Sequence, residues 1–226
     1  MKKIYLAIII SAVMMASCTS MPDNPQRVNS LPTIYPDYIG VTIPVDIVPL
    51  NFNFASNDNI ECMEVTVKGS KSGEIHSNAG YAKFDIDEWH KLTEQNKGGK
   101  LTFTVCVEKD GEWLQYKDFT MNVSNYALDE YGLTYRKIAP GYEVYSKMGI
   151  YQRDLSNYDE SPILENTAAP GTCLNCHTSN RTDPSQFTFH VRGANGATLI
   201  QLHGKREWLK AKNDSLHGSM VYPYWH

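Results

Sequence analysis

Cys173-Leu174-Asn175-Cys176-His177 places two thiols three positions apart, with an imidazole directly after the second. C-x-x-C-H is the attachment signature for c-type haem. Each thiol can add across one vinyl group of the porphyrin, and the histidine that follows then lies under the ring as the proximal iron ligand. Two other readings compete. A structural zinc site would need a second C-x-x-C to complete four ligands, and the sequence has none. A thioredoxin-type redox pair would need a βαβ setting, which the flanking pattern does not supply. The leading expectation is therefore haem c with its iron, tethered by Cys173 and Cys176 and ligated by His177.

The sixth iron position has several claimants. Phe187-Thr188-Phe189-His190-Val191-Arg192 alternates, so His190 and Arg192 should share one face of a strand soon after the motif. His190 is the expected distal ligand, and Arg192 the expected partner of a haem propionate. His203, His217, Met220, His226 and Met148 are further candidates, and an open position is another. His203 precedes Gly204 and reads as a turn residue. His76, His90 and His217 read as solvated.

Covalent haem is attached outside the cytoplasm, and the first residues carry an address that agrees. Met1-Lys2-Lys3 is a basic start, followed by an apolar run from Ile4 to Ala16. As a helix that run reaches only about 20 Å, short of the roughly 30 Å hydrocarbon core of a bilayer. It reads as a secretory signal over residues 1–17. Met15-Ala16-Ser17-Cys18 resembles a bacterial lipobox, in which the cysteine is acylated and becomes the new N-terminus. Met15 stands where leucine is usual, and plain signal cleavage is the alternative. Residues 18–35 then form a polar, Pro- and Asn-containing lipidated tether. With no acidic cluster after Cys18, the expected location is the periplasmic face of the outer membrane, held there by the lipid.

The 226-residue chain is 42% hydrophobic and 20% charged, enough apolar content to build a core. A net charge of −4 argues against nucleic acid as the main partner. Between residues 36 and 124 the pattern is mainly β. Val41–Val48 alternates but is demoted to an edge by Pro44. Cys62–Lys68 and Leu101–Val107 alternate cleanly, Asp110-Gly111 is a hairpin turn, and Glu112–Val123 is the returning strand. Asp85 reads as the N-cap of a brief helix ending at Glu94. Short strands at this spacing predict an immunoglobulin- or fibronectin-like sandwich. Residues 125–226 read as an irregular, tyrosine-rich haem-attachment segment with a few strands: Phe187–Arg192, Ala197–Leu202 and a third through Glu207–Leu209. Ser161–Gly171 reads as a loop.

Cys62 and Cys106 both fall on the polar side of their strands. Either they form a disulfide, which would add roughly 4 kcal/mol in the loop-entropy view, or they are two unpaired thiols. Neither belongs to a C-x-x-C pair, so a redox-active role has no support.

Several stretches taken together resemble a family of exported Bacteroidetes lipoproteins. They are Ile43–Phe52, Pro140–Glu143 with Ile150–Arg153, the C-x-x-C-H motif followed by Phe189-His190-Val191-Arg192-Gly193, and the final Val221-Tyr222-Pro223-Tyr224-Trp225-His226. In that family an N-terminal β domain leads through C-x-x-C-H into a TolB-like β-propeller. The layout is more distantly similar to that of the hydrazine synthase alpha subunit. In the family the Val221–His226 stretch opens the propeller, whereas this sequence stops there. The resemblance implies that Phe187 onward is an incomplete blade with an exposed edge. The expected function is one-electron transfer at the cell envelope with an unidentified protein partner. Two alternatives are a scaffold or sensor module in which haem is structural, and a haem enzyme with an open iron position. No paired carboxylates, nucleophile triad or glycine-rich loop point to a specific reaction.

Overall fold

The computed structural model describes residues 21–55, 60–128, 132–138, 147–168, 171–181, 183–193, 196–209 and 221–225. Cys18 and the signal segment lie outside them, as do His217, Met220 and His226. The protein is mainly β, with several sheets. Among the described residues no helix is long and apolar enough to cross a membrane.

Four two-residue strands come first: β1 (Gln26–Arg27), β2 (Ile34–Tyr35), β3 (Thr42–Ile43) and β4 (Asn53–Phe54). The main sheet is built on β5 (Ile60–Gly69) and β7 (Lys100–Lys109), antiparallel along their length, with Gly69 opposite Leu101. The strand β6 (Glu74–Ser77) extends it on one side. On the other edge of β7 lie β8 (Glu112–Gln115) and β9 (Phe119–Val123), each covering half of it. The predicted returning strand is thus broken at residues 116–118. β1 pairs in parallel with β8, and β3 with β9. Asp110 and Gly111 both adopt positive φ, at 52° and 78°, as a two-residue hairpin turn of the right twist requires.

Alternation puts Met63, Val65, Val67, Leu101, Phe103, Val105, Val107, Phe119 and Met121 on one buried face. The sandwich expectation fixed this face; what covers it is lighter than a full second sheet. The cover is the helix α1 (Ile86–Gln95), which contributes Trp89 and Leu92, together with the β2–β4 ribbon and its connecting loops. The helix starts where the sequence reading placed it, with the Asp85 carboxylate accepting from the Asp87 and Glu88 N–H groups. Trp89 anchors the layer by donating its indole N–H to the Ile47 carbonyl at 3.1 Å.

Two boundaries move. The tether was expected to run to residue 35, but Ile34 is 4% exposed and belongs to the core, and Gln26–Arg27 joins the main sheet. One buried apolar side chain in a polar stretch is enough to dock it. Val41–Val48 contributes only Thr42–Ile43 as strand, in keeping with the restriction imposed by Pro44.

Of the two alternatives for Cys62 and Cys106, the disulfide between them is not formed. Cys62 stands opposite Glu108, and Cys106 opposite Glu64. The two are diagonal neighbours, a separation of about 7–8 Å, beyond the roughly 4.4–6.8 Å that a disulfide spans. The Cys106 thiol is free, so the two are not joined. Cys106 packs with Cys62 and Trp113 in a small cluster. Burial first, then the nearby Glu64 and Asp118 carboxylates, push its pKa up to about 11. At pH 8 it is therefore a thiol and not a thiolate. Native protein treated with iodoacetamide at pH 8 should leave Cys106 unmodified, and unfolding in urea should expose it. Peptide mass spectrometry reads both, and rapid native labelling would contradict its burial.

From residue 132 onward the chain forms two small sheets instead of an irregular segment. One is a meander of β10 (Gly132–Ile138), β11 (Met148–Asp154) and β12 (Glu160–Glu165). The other runs β13 (Cys173–Asn180), β14 (Asp183–Arg192), β15 (Ala197–Leu202) and β16 (Lys205–Leu209). Ile150 and Ile163 from the first pack against Leu174, Phe187, Phe189, Val191 and Leu199 from the second. The segment read as a loop from Ser161 holds most of β12, where Pro162 sits at a register shift on an edge strand. Tyr158 joins the halves: its hydroxyl donates to the Pro49 carbonyl and accepts from the Asn51 amide.

Candidate functional site: the Cys173–His177 strand

The C-x-x-C-H motif opens β13, the edge strand of its sheet, paired antiparallel with β14. Cys173 lies opposite Arg192, Leu174 opposite Val191 and Asn175 opposite His190. Leu174 and Val191 point into the core, so Cys173, Asn175, His190 and Arg192 line the outer face. The sequence reading thus placed His190 and Arg192 correctly relative to each other.

A regular strand would send residues three apart to opposite faces. Here the register shifts after Asn175 and resumes with Thr178 opposite Thr188, so Cys176 and His177 together oppose Phe189. This is a β-bulge, which re-aims side chains. Cys176 adopts φ 53°, in the left-handed region, at a cost of roughly 1–2 kcal/mol for a residue with a Cβ. The outcome is a second neighbour for Arg192. Arg192, already beside Cys173, donates from Nη2 to Cys176 Sγ at 3.5 Å. Both cysteines carry free thiols and are half-buried.

Arg192 is held from its other side. Its Nη2 also donates to the Tyr222 hydroxyl at 3.2 Å, and its guanidinium lies 5.9 Å from the Tyr222 ring centre. Tyr222 and then Cys176 raise the Arg192 pKa further above its ordinary value. Among the described residues it has no carboxylate partner. Trp225 ties the same C-terminal stretch to the motif strand by donating its indole N–H to the Thr178 carbonyl at 3.1 Å.

His177 faces different surroundings. Its Nε2 is 3.2 Å from the Thr134 carbonyl on β10. Burial lowers its pKa, and the Arg136 charge adds to that against the opposing effect of the Thr134 hydrogen bond. The ring is therefore neutral at pH 7, the form that ligates metal. His190 is 7% exposed and joins Thr198 through Nδ1 at 2.9 Å. Burial, then Arg192, lower its pKa too. Of the other sixth-ligand candidates, Met148 is buried in β11, and His203 sits at φ 49° in a turn before Gly204, as the sequence suggested.

Two free thiols that border the same guanidinium fit a porphyrin tethered at two points. His177 fits as a neutral ligand once its ring turns away from Thr134, since the nitrogen that would reach iron now meets a carbonyl. Among the described residues no three His, Cys, Asp or Glu side chains gather as a preformed metal site. The propionate role expected of Arg192 does not fit. A porphyrin carries its vinyl groups and its propionates on opposite edges, and a guanidinium 3.5 Å from a tethering sulfur stands at the vinyl edge. The bulge, which brings Arg192 to Cys176, and Tyr222, which holds it there, were both missed in the sequence. Cysteine at a left-handed position carries no turn signal. No protein-family model matches the chain, and no curated protein matches it.

Proposed function

We propose that this chain is an exported, lipid-anchored c-type haem protein that carries single electrons at the cell envelope. We place it with the lipoproteins whose C-x-x-C-H segment precedes a TolB-like propeller. The observation that carries the reading is that one guanidinium borders both free motif thiols: Arg192 lies opposite Cys173 in register and, past the bulge, donates to Cys176 Sγ. When bound, haem supplies a one-electron ferric–ferrous couple whose potential depends on burial and axial ligation. In this chain Cys173 and Cys176 tether, and a neutral His177, released from Thr134, ligates. His190 would offer Nε2 to the iron, because Thr198 occupies Nδ1 and fixes the ring. Cys18 acts as the membrane anchor through its lipid.

The test is production with the haem-attachment machinery in an exporting host, followed by spectroscopy and intact mass. A c-type pyridine haemochrome, a low-spin six-coordinate spectrum and a lipid mass on Cys18 are expected. A colourless product containing zinc removes the haem reading. A high-spin spectrum that shifts with cyanide replaces electron transfer by chemistry at an open iron position. Cys18 found within a disulfide removes the anchor.

A further inference from the structure

Resting on the haem reading, we propose that Arg192, pinned by Tyr222, is the positioning residue that readies the Cys176 sulfur for thioether formation. Among the described residues Arg192 is the charged side chain that hydrogen-bonds a motif thiol, at 3.5 Å from Cys176 Sγ. A guanidinium stays charged throughout the accessible pH range and donates in a fixed fork. Arginines on protein surfaces are often neutralised by a carboxylate. Among the described residues this one is held instead by a phenol at 3.2 Å and the face of the same ring, which leaves its charge to the sulfur. Hydrogen bonds to ionised partners are roughly twice as strong as neutral ones, and the thiolate is the nucleophilic form of cysteine.

The step balances without an oxidant or a reductant. The Cys176 S–H bond breaks and sulfur bonds to the inner carbon of a vinyl group. The proton goes to the terminal vinyl carbon as the double bond is consumed. Arg192 holds Sγ on the outer face and stabilises negative charge on it during the attack. Its position at the vinyl edge, wrong for a propionate, is right for this role. Cys173 lies opposite Arg192 in register but has no hydrogen bond from it among those described, so the two tethers should differ in reactivity.

That difference can be read without haem. The full mature chain, produced without the attachment machinery and reduced, is pulsed with iodoacetamide at pH 7 and low salt, and Cys173 and Cys176 are followed separately by peptide mass spectrometry. Cys176 should label faster than Cys173. Arg192→Gln should slow Cys176 about fivefold, Arg192→Lys should keep most of the rate, and Tyr222→Phe should fall between. Because iodoacetamide is neutral, 0.5 M salt should narrow the gap between wild type and Arg192→Gln by screening the guanidinium. Circular dichroism confirms that each variant is folded. Matured with the attachment machinery, Arg192→Gln should accumulate a product joined through Cys173 alone. An unchanged Cys176 rate in Arg192→Gln overturns the proposal, as does an equal, salt-independent loss in Gln and Lys variants. A colourless matured wild type that still shows the labelling difference overturns the haem reading and the thioether step, but not the Arg192–Cys176 contact.

Discussion

Changing Cys173 and Cys176 together to alanine is expected to abolish covalent haem, leaving a chain lighter by the mass of the macrocycle and without a c-type band after acid–acetone extraction. The effect should be complete, because a porphyrin held only by axial histidines is removed by that extraction and one held by thioethers is not. Each single variant should retain haem through the remaining sulfur, with an α-band displaced to the position of a porphyrin that keeps one vinyl group. The single variants also separate attachment from folding. Both cysteines are half-buried at the edge of a sheet whose core is formed by Leu174, Phe187, Phe189 and Val191, so losing one sulfur leaves that core intact. Haem retained by the double variant through solvent extraction would show that other residues make the bond. His177→Ala is the companion: haem should stay tethered while the low-spin spectrum is lost.

The largest effect on stability is expected at Phe103. Its ring is fully buried near the middle of the main sheet, stacked on Phe119 with centroids 4.8 Å apart. Phe52, Phe84 and Trp89 surround it at 6.3, 6.4 and 6.4 Å. Phe103→Ala removes the one ring common to all these contacts and leaves a cavity between the sheet and α1, which cannot collapse without moving Trp89. The expected cost is about 3–5 kcal/mol. Set against a typical domain stability of about 5–15 kcal/mol, that is a large fraction of the total. Urea unfolding should show a lower midpoint with little change in slope. Tyr126→Ala, at a side chain 80% exposed, is the control and should stay within about 0.5 kcal/mol of wild type. A loss below about 1 kcal/mol at Phe103 would mean that the aromatic cluster does not hold the layers together.

The parts of this fold that were legible in the sequence are those governed by local chemistry. Alternation at Met63, Val65 and Val67 and from Leu101 to Val107 named the buried face of the main sheet, and Asp85 and Asp110-Gly111 gave a cap and a turn. What covers that face was less legible, because it depends on scattered residues such as Ile34 and Phe52 that reach the core from loops and from strands too short to show a period. β12 was hidden by Pro162, which reads as a breaker unless the strand is known to lie at an edge. The candidate site divides in the same way. The residue types and spacing of Cys173, Cys176 and His177 carry the haem proposal from the sequence alone. The placement of Cys176 and His177 depends on a bulge that nothing in Asn175-Cys176-His177 announces, and that bulge brings the Cys176 sulfur to Arg192.

The backbone at Cys176 sets the motif against the chain that carries it. Glycine at 176 would relieve the left-handed φ and fold about 1 kcal/mol more stably. On the haem reading proposed above, a lineage that abandoned the group would gain robustness by losing this one sulfur, while its neighbour at 173 could drift at no comparable benefit. Position 176 is where decay of the function would be rewarded soonest.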